Sequence, residues 1–162
     1  LGADGVVVGC LKADGSLDSD KMGALREQAG PLQMTLHRAF DVCRDPGQAL
    51  EEAVSLGVDT ILTSGQAADC LGGKETLKKL IRQADGRIEI LVGSGVNAEV
   101  IRQIMEEIGA SSFHMSGKKM ISSGMAYRNR QVHMGVPGIG EFDIFRTDKE
   151  EIRRARLVLD QK

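Results

Sequence analysis

Tryptophan is absent from this chain, tyrosine occurs once and phenylalanine four times. Aromatic rings therefore cannot fill its core. With 20 glycines besides, the interior has to be built from Val, Ile, Leu, Ala and Met, the usage of parallel sheets covered by helices. Cysteine is scarce as well. Cys10, Cys43 and Cys70 are odd in number, far apart and without a Cys-x-x-Cys spacing, which speaks against a disulfide scaffold and for a reducing compartment. No apolar run approaches the length of a membrane span, and no signal-peptide pattern opens the chain. Charge of one sign is missing too: 21 basic against 23 acidic residues leave a net of −2. Without a basic arm or stripe, neither nucleic acid nor an anionic membrane is an expected partner. What is present fits a globular chain: 162 residues, with 41% hydrophobic and 27% charged, suit a single domain over 1–162.

The chain is organised around Leu32 to Asp41, LQMTLHRAFD. It starts as a strand in which Leu32, Met34 and Leu36 share one parity and Gln33, Thr35 and His37 the other. It then runs into His37, Arg38 and Asp41, with Phe40 between them. A buried strand that turns polar where its loop begins is how the working end of an α/β barrel or open sheet reads. The plainer alternative is an Arg–Asp pair that ties down a loop, with His37 a satisfied polar neighbour.

Around that stretch the elements alternate. Strands are expected near Val7, Met34, Ile61, Ile90 and Ser112, separated by four helices. Asp18 or Ser19 can cap the first helix, which Gly30-Pro31 stops. Asp45 caps the second, with Pro46 at its first position and Gln48 able to close a capping box. The third carries Leu77, Leu80, Ile81 and Ala84 and ends at Asp85-Gly86, with Cys70 at the opening of the helical stretch. Asn97 caps the fourth, whose Val100, Ile101, Ile104 and Ile108 end at Gly109. Strand-helix alternation implies parallel strands with right-handed crossovers. A last helix over 147–160 is signalled by Thr147-x-x-Glu150. Before it, residues 117–146 read as an irregular loop, ordered at Met125 to Asn129 and mobile at Gly135 to Gly140.

Ligand sites in parallel α/β folds lie at the carboxyl ends of the strands. That rule gathers Cys10, then His37, Arg38 and Asp41, then Ser64 and Gly65, then Gly93, Ser94 and Gly95, then His114, Ser116 and Gly117. Parity turns Leu36 and Phe113 toward the covering helices, and Thr35, His37, Ser112, His114 and Ser116 toward the axis. Gly93-Ser94-Gly95 feeding a helix N-terminus, with Ser116-Gly117 after the next strand, suits an anion. It is not a dinucleotide fingerprint, because the third glycine is missing. His37 and His114 could serve as acid or base, and Asp41 could orient His37 or pair with Arg38. For copper(I), which favours thiolate, thioether and imidazole, Cys10, His37 and His114 are the candidates. Met22, Met34, Met105 and Met115 read as core filler, Cys43 and Cys70 as inert small residues, and His133 as a solvated loop residue.

With these residues in view the chain resembles the CutC copper homeostasis family. The resemblance rests on TLHRAFD at Thr35 to Asp41, LTSG at Leu62 to Gly65, Gly93-Ser94-Gly95-Val96, Phe113-His114-Met115-Ser116, and Tyr127-Arg128-Asn129. It implies a (β/α)8 TIM barrel that handles and binds copper in the cytoplasm, with the strands here as the fourth to eighth. Arg128 joins the expected anion-binding set through its motif. Leu1 opening the chain inside a strand-like run agrees with three missing βα units, so open edges and association are expected of an incomplete barrel, and a homo-oligomer of the complete one. The function this implies is copper binding and handling. The alternative, drawn from the strand-end residues, is a TIM-barrel enzyme acting on a small phosphorylated or anionic substrate.

Overall fold

A computed structural model describes residues 2–129, 131–132, 134–135 and 138–161. Strands β1 (Gly5–Val8), β2 (Gln33–Leu36), β3 (Thr60–Thr63), β4 (Glu89–Val92) and β5 (Ser112–Phe113) form one sheet in the order of the chain. Every neighbouring pair is parallel. Helices α1 (Ser19–Ala29), α2 (Pro46–Ser55), α3 (Lys74–Ala84) and α4 (Ala98–Ile108) make the four crossovers. Sequential order with parallel pairing throughout is the repeat of a (β/α)8 barrel. The described residues form five strands of such a repeat.

The register separates the two faces of the sheet as parity does. Val7 pairs with Thr35, Thr35 with Thr60, Thr60 with Glu89, and Leu91 with Ser112, so these share the concave side. Met34, Leu36, Ile61 and Val92 share the other side, and each is fully buried against Leu50, Leu77, Leu80 and Ile104 of the helices. Burying a side chain of that size contributes about 1.5–3 kcal/mol, so this layer holds the fold together. The concave side lacks such cover, and Val7 remains 64% exposed. There Glu89 accepts hydrogen bonds from the hydroxyls of Thr60 and Ser112.

Three of the expected caps form. Asp18, Asp45 and Asn97 each accept from backbone N–H groups in the first turn of their helices, which satisfies donors the helix leaves free. The reciprocal half of the capping box at Asp45 does not form. The Gln48 amide donates instead to Glu52 Oε1 at 2.8 Å, one turn along the same exposed face. Cys70 lies in the turn before Lys74 rather than in a helix.

The stretch 117–146, expected as an irregular loop, forms strands at its two ends and no helix or strand among the described residues between them. Strands β6 (Lys118–Ser122) and β7 (Asp143–Thr147) pair as an antiparallel ribbon, from Lys118 with Thr147 to Ser122 with Asp143. Most of the ribbon's residues are exposed, so KKMIS and DIFRT carry no apolar alternation to betray a strand. Helix α5 (Lys149–Leu159) follows, capped by Asp148 rather than Thr147. Its Ala155 and Val158 pack with Ile101 of α4 into a second, smaller core. Arg128 donates to Ser122 Oγ and the Ser123 carbonyl and lies over the Phe142 ring. His133, and Val136-Pro137 within the Gly135 to Gly140 stretch, lie outside the described residues.

Candidate functional site at the strand ends

Where β2 ends, His37 starts a 3-10 turn over Arg38–Val42, and its Nδ1 accepts the Ala39 N–H at 3.1 Å. A neutral imidazole has one unprotonated nitrogen. With Nδ1 so used, the neutral ring carries its proton on Nε2 and offers a donor there. Its packing depends on Gly9: a Cβ at that position would stand 2.5 Å from His37 Cε1 and Nδ1. Cys10 is the next residue, at the end of β1, half-buried against the main core.

Asp41 is the hub of the loops. Its side chain is 6% exposed. Oδ1 accepts from the Thr63 hydroxyl at 2.5 Å and the Ser64 N–H at 3.0 Å; Oδ2 accepts from Arg38 Nε at 2.6 Å. The Gln66 N–H adds a bond at 3.2 Å. Burial alone would raise this carboxyl, but the hydrogen bonds from Thr63, Arg38, Ser64 and Gln66 outweigh it and hold Asp41 below the ordinary carboxylate range. Asp41 is therefore a charged anchor for the loop after β3. It does not orient His37.

That anchor also aims Arg38. Nε is held by Asp41 and Nη2 by Ser64 Oγ at 2.9 Å, while Ser64 Oγ donates to the Ala67 carbonyl at 2.6 Å. The other N–H groups of the guanidinium have no hydrogen-bond partner among the described residues. Gly65 makes the turn possible, since a Cβ there would meet the Gly73 carbonyl oxygen at 2.3 Å, and its φ is +75°.

Arg38 borders a cleft of about 760 Å³ at the carboxyl ends of β3, β4 and β5. Gly93, Ser94 and Gly95 form one wall, and His114, Ser116 and Gly117 another. Gly93 keeps the floor open, because a Cβ would stand 2.7 Å from Leu62 Cδ1. Ser94 adopts a φ of 71° and is held there by its hydroxyl on the Ala68 carbonyl at 2.9 Å and by Cys70 N–H on its own carbonyl. A non-glycine residue in that region is backbone strain of the sort that collects at ligand sites.

The cleft thus brings together Arg38, Gly93, Ser94, Gly95, His114, Ser116 and Gly117, with Ser64 and Asp41 behind Arg38. Gly65 belongs to the supporting turn, and Arg128 to the ribbon. Cys10 and His114 stand at opposite edges of the sheet, just past the ends of β1 and β5. No group of three or more His, Cys, Asp or Glu suited to a metal ion occurs among the described residues. Cys43 and Cys70 are buried, and burial pushes the Cys43 thiol up to about 11 and raises that of Cys70 as well.

Some of these residues escape a reading of the sequence. Thr63 is fully buried although polar. It occupies the helix-facing parity of β3, where a hydroxyl after Ile61 signals a buried partner. Lys118, Glu151 and Arg154 line the outer end of the cleft, and only the path of the ribbon brings them there.

A sequence profile described as the CutC family matches residues 1–119. A "family protein CutC" of Parabacteroides distasonis is 47% identical over 94% of this chain and 63% of its own length. The human "Copper homeostasis protein cutC homolog" is 40% identical over 97% of this chain and 58% of its own. A crystal structure of the CutC protein from Streptococcus agalactiae superposes with a TM-score of 0.65 at 31% identity, covering 68% of this chain and 55% of that one. The chain spans less than two thirds of the length of these relatives.

Proposed function

The chain belongs to the CutC family, and on that premise we propose that it serves copper homeostasis in the cytoplasm through a strand-end cleft that binds a small anionic ligand. The role comes from the family, since a relative bears the name copper homeostasis protein. The ligand class comes from the lining. The observation that carries it is Arg38, fixed by Asp41 and Ser64 with its remaining N–H groups free at the edge of a cleft walled by Gly93-Ser94-Gly95 and Ser116-Gly117. A guanidinium held in place and main-chain turns opening a helix N-terminus suit phosphate or carboxylate. His114 lines the same cleft as an acid–base group, so an enzyme acting on a phosphorylated small molecule fits it.

Direct copper(I) binding is the second reading, favoured by one observation: the missing side chain of Gly9 packs the His37 ring beside the residue preceding Cys10. A thiol and an imidazole from adjacent strand ends are soft enough for copper(I). Against it stands the hydrogen bond from Ala39 to Nδ1. Ligation through Nε2 would move the ring proton to Nδ1 and abolish that bond, whereas ligating histidines ordinarily donate from their other nitrogen.

Two titrations separate the readings. Calorimetry with inorganic phosphate and a phosphate monoester on the protein and its Arg38→Gln variant should show binding weakened about tenfold or more by the change. A copper(I) titration against a competing chelator on the protein and Cys10→Ser should show no tight site. Tight one-to-one copper(I) binding lost in Cys10→Ser, with no phosphate binding, would reverse the order of the two.

A further inference from the structure

The cleft is larger than the group that Arg38 can hold. Its volume of about 760 Å³ lies in the roughly 300–1,000 Å³ range of pockets that enclose a whole small molecule. One phosphate or carboxylate fills a small part of it. Positive charge is also spread along its length. Arg38 comes from the loop after β2, while Lys118 and Arg154 come from the ribbon and α5, past the end of β5. Three strand spacings, roughly 14 Å along the sheet, separate β2 from β5, so a single anionic group reaches one end only. From the strands and turns between, Leu62, Val96 and Met115 line the cleft with apolar surface.

Packing fixes the outer end. Ala155 and Val158 of α5 bury against Ile101 of α4, and the Asp148 N–H donates to the Gly117 carbonyl at 2.7 Å. Gly117 leaves the space that Ile152 takes, since a Cβ there would run into Ile152 Cδ1. Glu151 and Arg154, three residues apart, share the face of α5 toward the cleft and pair with each other. Lys118 Nζ rests over the Phe145 ring, 4.6 Å from its centre. The lining thus sets Arg38, Lys118 and Arg154 against the carboxylates of Glu99 and Glu151.

We infer that the ligand of this cleft carries two anionic groups joined by an apolar spacer, one group held at Arg38 and the other at Arg154 and Lys118. The inference rests on the reading of the cleft as an anion site and adds its substrate class. Arg154 is the residue that separates such ligands from those with a single charge. Glu151 competes with the second anion for Arg154, and so sets how tightly that end is held.

Calorimetry with hexanediol bisphosphate and with hexyl phosphate, which has the same chain and one phosphate, tests this on the protein and on Arg38→Gln, Arg154→Gln and Glu151→Gln. The bisphosphate should bind the unaltered protein about tenfold or more tighter than hexyl phosphate. Arg154→Gln should erase that difference by weakening the bisphosphate, with hexyl phosphate still bound, which also shows that the variant folds. Glu151→Gln should tighten the bisphosphate about threefold or more, and hexyl phosphate not at all. Arg38→Gln should weaken both. Equal affinity of the two probes for the unaltered protein, or a preference that survives Arg154→Gln, would overturn the inference, and the anion reading would still stand on the response of hexyl phosphate to Arg38→Gln. Binding of neither probe, or binding indifferent to Arg38→Gln, would sink that reading and this inference together.

Discussion

The carboxylate of Asp41 holds the guanidinium of Arg38 at 2.6 Å while also receiving the hydroxyl of Thr63 at 2.5 Å. One buried charge therefore fixes the loop after β2 to the loop after β3, and sets the direction of the cleft's arginine.

Asp41→Asn keeps the shape of the side chain but removes its charge and one acceptor. Breaking a buried, multiply bonded charge should lower stability by about 2–4 kcal/mol in urea denaturation, with little change in slope. Phosphate affinity should fall with it. Unchanged stability would mean that Arg38 is aimed by something other than this carboxylate.

The same group leaves a signature in pH. Because Asp41 titrates lower in the folded protein than in the unfolded chain, its contribution is complete above the unfolded value of about 3.9. It is lost as pH falls through the lower, folded value. Stability of the protein minus that of Asp41→Asn should be constant from pH 5 to pH 7 and shrink on acidification below about pH 4. Asp18 and Glu51 are also lowered, but they are common to both proteins and cancel in the difference.

Gly65 and Gly109 share a φ of +75°, yet a Cβ at Gly109 meets nothing within 4 Å while one at Gly65 runs into the Gly73 carbonyl. Gly109→Ala should cost about 1–2 kcal/mol for the left-handed backbone alone. Gly65→Ala adds the clash and should cost clearly more, with loss of ligand binding. Equal melting temperatures for the two variants would contradict the close approach of the loops.

The three thiols should differ in reactivity. Cys43 and Cys70 are buried with raised pKa values, whereas Cys10 is half-buried at a strand end. A thiol at about 11 is roughly one part in a thousand thiolate at pH 8. A disulfide reagent should label one thiol quickly in the folded protein, and Cys10→Ser should remove that phase.

Much of the fold is legible in the residues themselves. Caps at Asp18, Asp45 and Asn97 and the apolar faces of α3 and α4 mark each helix, and the parity of Leu36 and Phe113 against Thr35 and Ser112 orients the sheet. Of the cleft's lining, the strand-end rule gathers Arg38, the Gly93-Ser94-Gly95 turn, His114, Ser116 and Gly117. The ribbon stays hidden because a mostly exposed strand needs no alternation, and Arg154 with it. Asp41 reads from sequence as a partner for His37 or Arg38. Only the folded loops show the carboxylate taken up by Thr63 and Ser64, which lie more than twenty residues away.

The concave side of the sheet sets Gly5, Gln33, Thr35, Thr60, Glu89 and Ser112 among Val7, Leu62 and Leu91, where most barrels carry Val, Ile and Leu throughout. With Glu89 and its two hydroxyl donors in its midst, the hollow stays hospitable to water, an interior that resists collapse as much as it invites closure.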